Sequence, residues 1–237
     1  KGKEDVYDLF DWEKGTIDIV DDNKVFLFRQ EGVEFPKGWS PLAKKIVGSK
    51  YFFGEQDSNL REYSAKQLVR RIADTFSEWG IKNKYFNSED ADAFRDEMVY
   101  AALSQKFSFN SPVWFNVGVH NLVKGSKEKK EAYIINNGKV VSLPLGRDRE
   151  YPQTSACFIQ SVEDTMEGIM QLAKQEALLF KHGSGTGTNL SSLRSSREKL
   201  SSGGKPSGPL AYWAFYDKVA GIVKSGGKTR RAAKMDI

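Results

Sequence analysis

The sequence is poorest in the residues that build metal cages and covalent frameworks. It has one cysteine, Cys157, and two histidines in 237 residues. A lone cysteine cannot close an internal disulfide framework, which favours a reducing, cytoplasmic setting. One thiol and two imidazoles are also too few for a dedicated zinc or iron–sulfur cage, so no metal site is expected. No apolar run approaches the ~20 residues needed to cross a bilayer. The opening K-G-K-E-D leads into no apolar signal segment, so no membrane partner is expected. No Gly-Lys-Ser/Thr closes a phosphate-binding P-loop, no hydrolytic triad can be assembled around a nearby base, and no internal repeat is visible.

What is present is a globular composition, 39% apolar and 28% charged, with a net charge of +5. The length suits one large domain or two small ones. Positive charge gathers at 124–130 and 224–234. That pattern leaves nucleic acid, nucleotides or no anionic partner open.

Residues 1–14 read as a loosely held polar arm, and 16–20 and 24–28 as a hairpin around Asp21-Asp22-Asn23. Pro41 after Ser40 starts a helix carrying Leu42, Ile46 and Val47. Residues 64–79 predict a helix with a Leu68, Ile72, Phe76, Trp79 stripe, stopped by Gly80. Residues 88–105 predict another, capped by Ser88, with Phe94, Met98, Ala101 and Ala102 on one face. Segment 107–118 holds Ser111-Pro112 inside an apolar run and reads as a strand end or irregular buried segment. Its hydroxyl is either part of a turn or held ready for a ligand. Residues 120–152 read as an inserted, exposed hairpin turning at Asn136-Asn137-Gly138.

The rest of the chain is organised around 153–192. A short strand from Cys157 to Gln160 precedes a helix starting near Asp164. Asp164 and Glu167 have capping-box spacing there, and Met166, Ile169, Met170, Ala173, Ala177 and Phe180 form the buried face. A glycine-alternating loop, Gly183-Ser184-Gly185-Thr186-Gly187, follows, with a short strand over 189–193. This order is not the dinucleotide fingerprint, which needs a strand before its glycines and a helix after them. The glycines are either a helix cap or a place where backbone comes close to a ligand. Two later segments, Ser201-Ser202-Gly203-Gly204-Lys205 and Ser225-Gly226-Gly227-Lys228-Thr229-Arg230-Arg231, flank a helix over 210–224. Each sets flexible N–H groups beside cations, which suits phosphate or is simply solvated. Cys157 alone is ambiguous: a free cysteine reads first as a small buried hydrophobe, and otherwise as a reactive group.

Several segments together carry a resemblance: N-S-P-V-W-F-N-V-G at 110–118, S-A-C-F-I at 155–159, K-H-G-S-G-T-G-T-N-L-S-S-L-R at 181–194 and G-G-K-T-R-R-A-A-K-M at 226–235. G-W-S-P-L-A-K-K-I-V-G-S-K-Y-F near residue 38 matches more weakly. In this order the chain resembles the N-terminal part of a ribonucleotide reductase large subunit, most like the adenosylcobalamin-dependent class II branch. The resemblance implies an α/β fold: a mainly helical region over 1–106, then over 107–237 the first part of a reductase-type α/β barrel with the hairpin of 120–152 inserted. It implies that Cys157 is the first redox cysteine of a radical reaction that converts ribonucleotides to deoxyribonucleotides, with dithiol oxidation to a disulfide. Ser111, Ser155, Ala156, Gly183, Ser184 and Gly185 would hold the ribonucleotide substrate. Asp164, Thr165, Met166, Arg194, Ser201, Gly203, Gly204, Lys205, Lys228 and Arg230 would hold an allosteric deoxynucleoside triphosphate effector.

By the same resemblance the cofactor is adenosylcobalamin, with no legible site in this segment, and the reductant an external dithiol protein such as thioredoxin. The chain is expected to form a homodimer. The radical cysteine and the second redox cysteine have no counterpart before Ile237. The expectation is therefore a split or truncated reductase, inactive until a C-terminal reductase piece completes it. The rival readings are an inactive deoxynucleotide-binding regulator and a basic nucleic-acid-binding module.

Overall fold

The computed structural model describes residues 5–125, 133–225, 229–230 and 233–236; within 224–236, only Met235 is described beyond the backbone. The chain divides into two compact units, Lys1–Thr154 and Ser155–Ile237. The division falls after Thr154 rather than after residue 106, because Val113 and Val117 belong to the first unit's core. Among the described residues no helix is long and apolar enough to cross a membrane.

In the first unit, β1 (Trp12–Val20) and β2 (Phe26–Pro36) form an antiparallel hairpin longer than predicted. Asp21 takes up the turn, its carboxylate accepting from the N–H groups of Asn23 and Val25. The preceding arm is not loose. A 3₁₀ turn, Val6–Leu9, brings Tyr7, Phe10 and Trp12 onto the core, and the Trp12 indole donates to the Tyr7 carbonyl.

Helix α1 (Pro41–Ile46) starts where the proline predicts, with Ser40 as its cap, but Leu42 and Ile46 stay exposed. It continues as a wider turn, Val47–Tyr51. Helix α2 (Ala65–Lys82) has a full capping box between Ser64 and Gln67 and buries Leu68, Val69 and Ile72. Gly80 does not stop it. A β-carbon at Gly80 would run into the Phe86 ring, so the glycine serves packing rather than termination. Helix α3 (Ser88–Leu103) is capped by Asn87, not Ser88, and buries Ala91, Val99, Ala102 and Leu103 rather than Phe94.

Residues 111–116 correct the strand-like reading of this segment. They form helix α4 (Ser111–Asn116), with Asn110 as cap and Pro112 in the first turn, where a missing N–H costs nothing. Strands β3 (Tyr133–Asn136) and β4 (Lys139–Ser142) form the expected hairpin, with Asn137 and Gly138 both at positive φ.

The second unit is a parallel sheet with helices between its strands. β5 (Cys157–Ser161) leads through α5 (Met166–Lys181) to β6 (Gly185–Asn189). Helix α6 (Pro209–Ile222) and a two-residue ladder of β7 (Lys224–Ser225) with β8 (Thr229–Arg230) precede β9 (Ala233–Asp236). The order β5-β6-β9 keeps sequential strands adjacent and parallel. That is how an α/β barrel begins. A second core, Val162, Ile169, Leu172, Leu190, Leu193, Tyr216 and Met235, lies between helices and sheet.

Two boundaries differ from the expected ones. Helix α5 is capped by Thr165, whose hydroxyl accepts from Gly168 N–H, not by Asp164. Its buried face holds Leu172 and Glu176, while Met166 and Met170 are exposed. Of the glycine-alternating stretch, Gly183 and Ser184 end α5 while Gly185-Thr186-Gly187 opens strand β6, and 190–193 is the turn after it.

Candidate functional site

Side chains alternate between the two faces of a strand, and Cα partners in a parallel ladder point the same way. Cys157 stands beside Gly185 and Ile159 beside Gly187, while Phe158 and Gln160 stand beside Thr186 and Thr188. Thr186 and Thr188 are buried towards α5, so Cys157 and Ile159 occupy the other face. There Cys157 is exposed and Ile159 is 87% exposed. The neighbouring strand offers two glycines in place of two side chains. The result is a shelf with a thiol at one end and bare backbone about 4.8 Å away. A ligand can approach the main chain there as closely as van der Waals contact allows. Cys157 is exposed, so it does not serve as a small buried hydrophobe among the described residues.

The start of the shelf is fixed by the end of α5. Gly183 takes φ 92°, its N–H bonds the Phe180 carbonyl and Ser184 N–H bonds the Leu179 carbonyl. These are the two bonds of a Schellman cap. Ser184 is fully buried and donates its hydroxyl to the Ser155 carbonyl at 2.8 Å, and Gly185 N–H donates to the Ala156 carbonyl at 2.7 Å. Ser155, Ala156, Gly183, Ser184 and Gly185 therefore come together around Cys157. The Ser184 hydroxyl is engaged in tying β6 to the approach of β5.

Behind the shelf lies a group that the sequence reading missed. Glu176 is fully buried, and its Oε1 accepts from the hydroxyls of Thr186 (3.0 Å) and Thr188 (3.3 Å). Oε2 has no partner. Burial pushes this carboxyl above its ordinary value, against the pull of the two threonine bonds. Tyr216, whose hydroxyl donates to the Ile169 carbonyl, is pushed up to about 12 by burial and then by the Glu176 charge. A charged residue standing at core spacing between Leu172 and Phe180, and threonines alternating with glycines, were the available signals.

Asp164 and Arg194, 30 residues apart, are joined. The guanidinium donates to the Asp164 carboxylate at 2.6 Å and to its carbonyl at 3.3 Å. The ion pair raises the Arg194 pKa, and both groups face solvent beside the exposed Thr165 and Met166 at the start of α5. Ser201, Gly203, Gly204 and Lys205 form an exposed turn closed by Gly203 N–H to Leu200 O and Leu200 N–H to Gly204 O. Arg230 is described in backbone only, in β8, and Lys228 lies outside the described residues.

Ser111 belongs to the first unit and opens α4. Its hydroxyl is 3.0 Å from the hydroxyl of Tyr51, whose ring stacks on Phe115 at 5.1 Å and 14°. A buried ion pair holds α4 in place. Arg71 donates to Glu62 at 2.9 Å, and its remaining N–H groups reach the carbonyls of Trp114 and Val117. Gly118, at φ 76°, passes directly over the Arg71 carbonyl, where a β-carbon has no room.

A groove of about 650 Å³ runs beside β5 and α5, lined by Gln160, Glu163, Glu167, Gln171 and Gln175 among others. Among the described residues no cluster of His, Cys, Asp and Glu could hold a metal.

Comparison with known proteins matches residues 155–237 to the family described as ribonucleotide reductase, barrel domain. Residues 13–105 match the family described as class II vitamin B12-dependent ribonucleotide reductase. The vitamin B12-dependent ribonucleotide reductase of Rhodopirellula baltica is 49% identical over 226 residues, covering 94% of this chain and 22% of that protein. The Streptomyces coelicolor enzyme of the same name is 46% identical over 234 residues, covering 98% and 21%. The chain thus spans about a fifth of the length of these relatives. Among solved structures, the class Id ribonucleotide reductase alpha subunit of Actinobacillus ureae is 16% identical with a TM-score of 0.48, covering 80% of this chain and 26% of that one.

Proposed function

The chain belongs to the class II, vitamin B12-dependent ribonucleotide reductase family, and from that membership we propose that it supplies the first redox cysteine and the effector-binding start of such an enzyme. The observation that carries the proposal is the exposed thiol of Cys157 on a face where its ladder neighbours are glycines. A nucleotide can lie against that backbone with its ribose at the sulfur.

In the proposed reaction the 2′ C–O bond of the ribose breaks and a 2′ C–H bond forms. The hydroxyl leaves as water, and two thiols lose their hydrogens and join as a disulfide. Cys157 gives one of those thiols. The second, and the radical cysteine, come from a C-terminal reductase piece, since this chain has no other cysteine. An external dithiol protein such as thioredoxin then reopens the disulfide. Ser155, Ala156 and the Gly183–Gly185 backbone form the wall of the substrate site, and Ser111 meets the substrate's phosphates. The effector, a deoxynucleoside triphosphate, binds at the start of α5 with its phosphates on Arg194. The turn of Ser201–Lys205 serves as the loop over the effector, and the segment with Lys228 and Arg230 passes the effector's identity to the substrate pocket. Two copies associate through this region.

Adenosylcobalamin supplies the radical when bound. The groove beside β5, with a mixed lining that includes Ile159, Leu172, Glu163, Glu167 and Gln171, carries no feature specific to it. We place the cobalamin outside the described residues. The setting is the cytoplasm, where a reducing environment keeps Cys157 ready.

The test is turnover. This chain alone, given ribonucleotide, adenosylcobalamin and dithiol, forms no deoxyribonucleotide. Joined to a class II segment carrying the remaining cysteines it does, and Cys157→Ser abolishes the product. Activity of the chain alone, or of the Cys157→Ser variant, would overturn the proposal.

A further inference from the structure

We infer that Tyr51 is a positioning residue for the substrate site: its phenol donates to Ser111 and so leaves the serine proton to be given to a substrate phosphate. The inference rests on the reading of Ser111 as a phosphate contact. The two hydroxyls are 3.0 Å apart, and geometry alone allows either to donate. Chemistry decides the direction. A phenol, with an ordinary pKa of ~10, is far more acidic than an aliphatic alcohol and is the better donor. Ser111 then accepts from Tyr51 and has one proton left. An anionic phosphate oxygen can only accept, so this polarity matches it. The opposite polarity would leave Ser111 with lone pairs facing a negative group.

The arrangement is built to hold. Ser111 and Phe115 stand four residues apart on one face of α4, and the Tyr51 ring lies along that face, stacked on Phe115. The next residue, Phe52, is buried and stacks on Phe35 at 5.4 Å. The backbone that carries Tyr51 is fastened by Arg61, which donates to the carbonyls of Gly48, Phe52 and Gly54 at 2.6, 2.7 and 3.0 Å. On the other side Arg71 holds the carbonyls at the end of α4. Both partners of the hydroxyl pair therefore hang from segments pinned by guanidinium groups. Fixing a hydroxyl rotor before the ligand arrives removes an entropy cost from binding.

The experiment uses the complete reductase with adenosylcobalamin and dithiol, and CDP and CTP as the substrates measured. Tyr51→Phe keeps the ring stack and removes one oxygen. It should raise the KM and the Kd of the accepted nucleotide about fivefold, in the range of one net hydrogen bond, with kcat little changed. In a Ser111→Ala background the same change should have no further effect, and in Ser111→Thr, which keeps the hydroxyl, it should persist. A Tyr51→Phe enzyme with unaltered nucleotide binding, while Ser111→Ala binds weakly, overturns the inference and leaves the substrate site standing. An equal loss in the Ser111→Ala background also overturns it, since Tyr51 would then act elsewhere. Unaltered binding in Ser111→Ala sinks the reading of Ser111 itself, a different result from either.

Discussion

Glu176 and the Arg71–Glu62 pair take ionisable groups out of water, and each makes a measurable demand on the fold. Burial holds the Glu176 carboxyl above its ordinary value. In the unfolded chain it titrates near ~4.3, whereas folded it keeps its proton to higher pH. Its favourable contribution is complete below about pH 4.3 and is lost as pH rises towards the folded value. Glu176→Gln cannot ionise, so its urea midpoint relative to the parent chain should climb as pH rises above about 4.3 and level off once the folded carboxyl has ionised; a difference that does not change with pH would contradict this. For Arg71 the sign is simpler. Arg71→Met leaves Glu62 buried with its charge uncompensated, and about 3–5 kcal/mol of stability should be lost in urea unfolding. Glu62→Gln added to it should recover part of that loss. Neither residue was legible as structural from sequence. A lone Glu in an apolar stripe and an Arg in an amphipathic helix are ordinary, and their partners lie 9 to 46 residues away.

At the scale of elements, β6 is the informative case. Glycine depresses strand propensity, so Gly185-Thr186-Gly187-Thr188 reads as a loop. The ladder with β5 and β9 overrides that preference, because the threonines face a buried carboxylate and the parallel partners supply the backbone bonds. Gly187→Val should therefore leave the strand in place, with melting temperature unchanged or slightly raised. It should weaken ribonucleotide binding in the complete enzyme by tenfold or more, since its methyls would stand on the shelf beside Ile159. Normal substrate affinity in that variant would place the nucleotide elsewhere. Helix α4 teaches the complementary point: Asn110-Ser111-Pro112 is a cap followed by a first-turn proline, a start signal hidden by the apolar residues around it. The strong helices α2, α3 and α5 and both hairpins were legible because periodicity and turn chemistry are local. Their end residues and buried faces shifted where packing decided, as at Gly80 against Phe86.

For the whole molecule, the division after Thr154 was invisible in composition. It depends on which core Val113 and Val117 join, a matter of tertiary contact. The pairing of Asp164 with Arg194 likewise closes over 30 residues, although both had been assigned to one site. If that site takes the effector, Arg194→Met should weaken deoxynucleoside triphosphate binding by about tenfold, in line with the loss of a charge-assisted contact, and leave substrate affinity without effector unchanged. Equilibrium dialysis with a labelled effector reads this directly, and an unaltered Kd would remove Arg194 from the site. The account as a whole turns on Cys157 meeting the substrate. The most direct measurement is peptide mapping of the complete enzyme after one turnover on ribonucleotide, with external dithiol withheld. The account predicts Cys157 in a disulfide, in amount equal to the deoxyribonucleotide formed. Product formed while Cys157 remains a free thiol would contradict it.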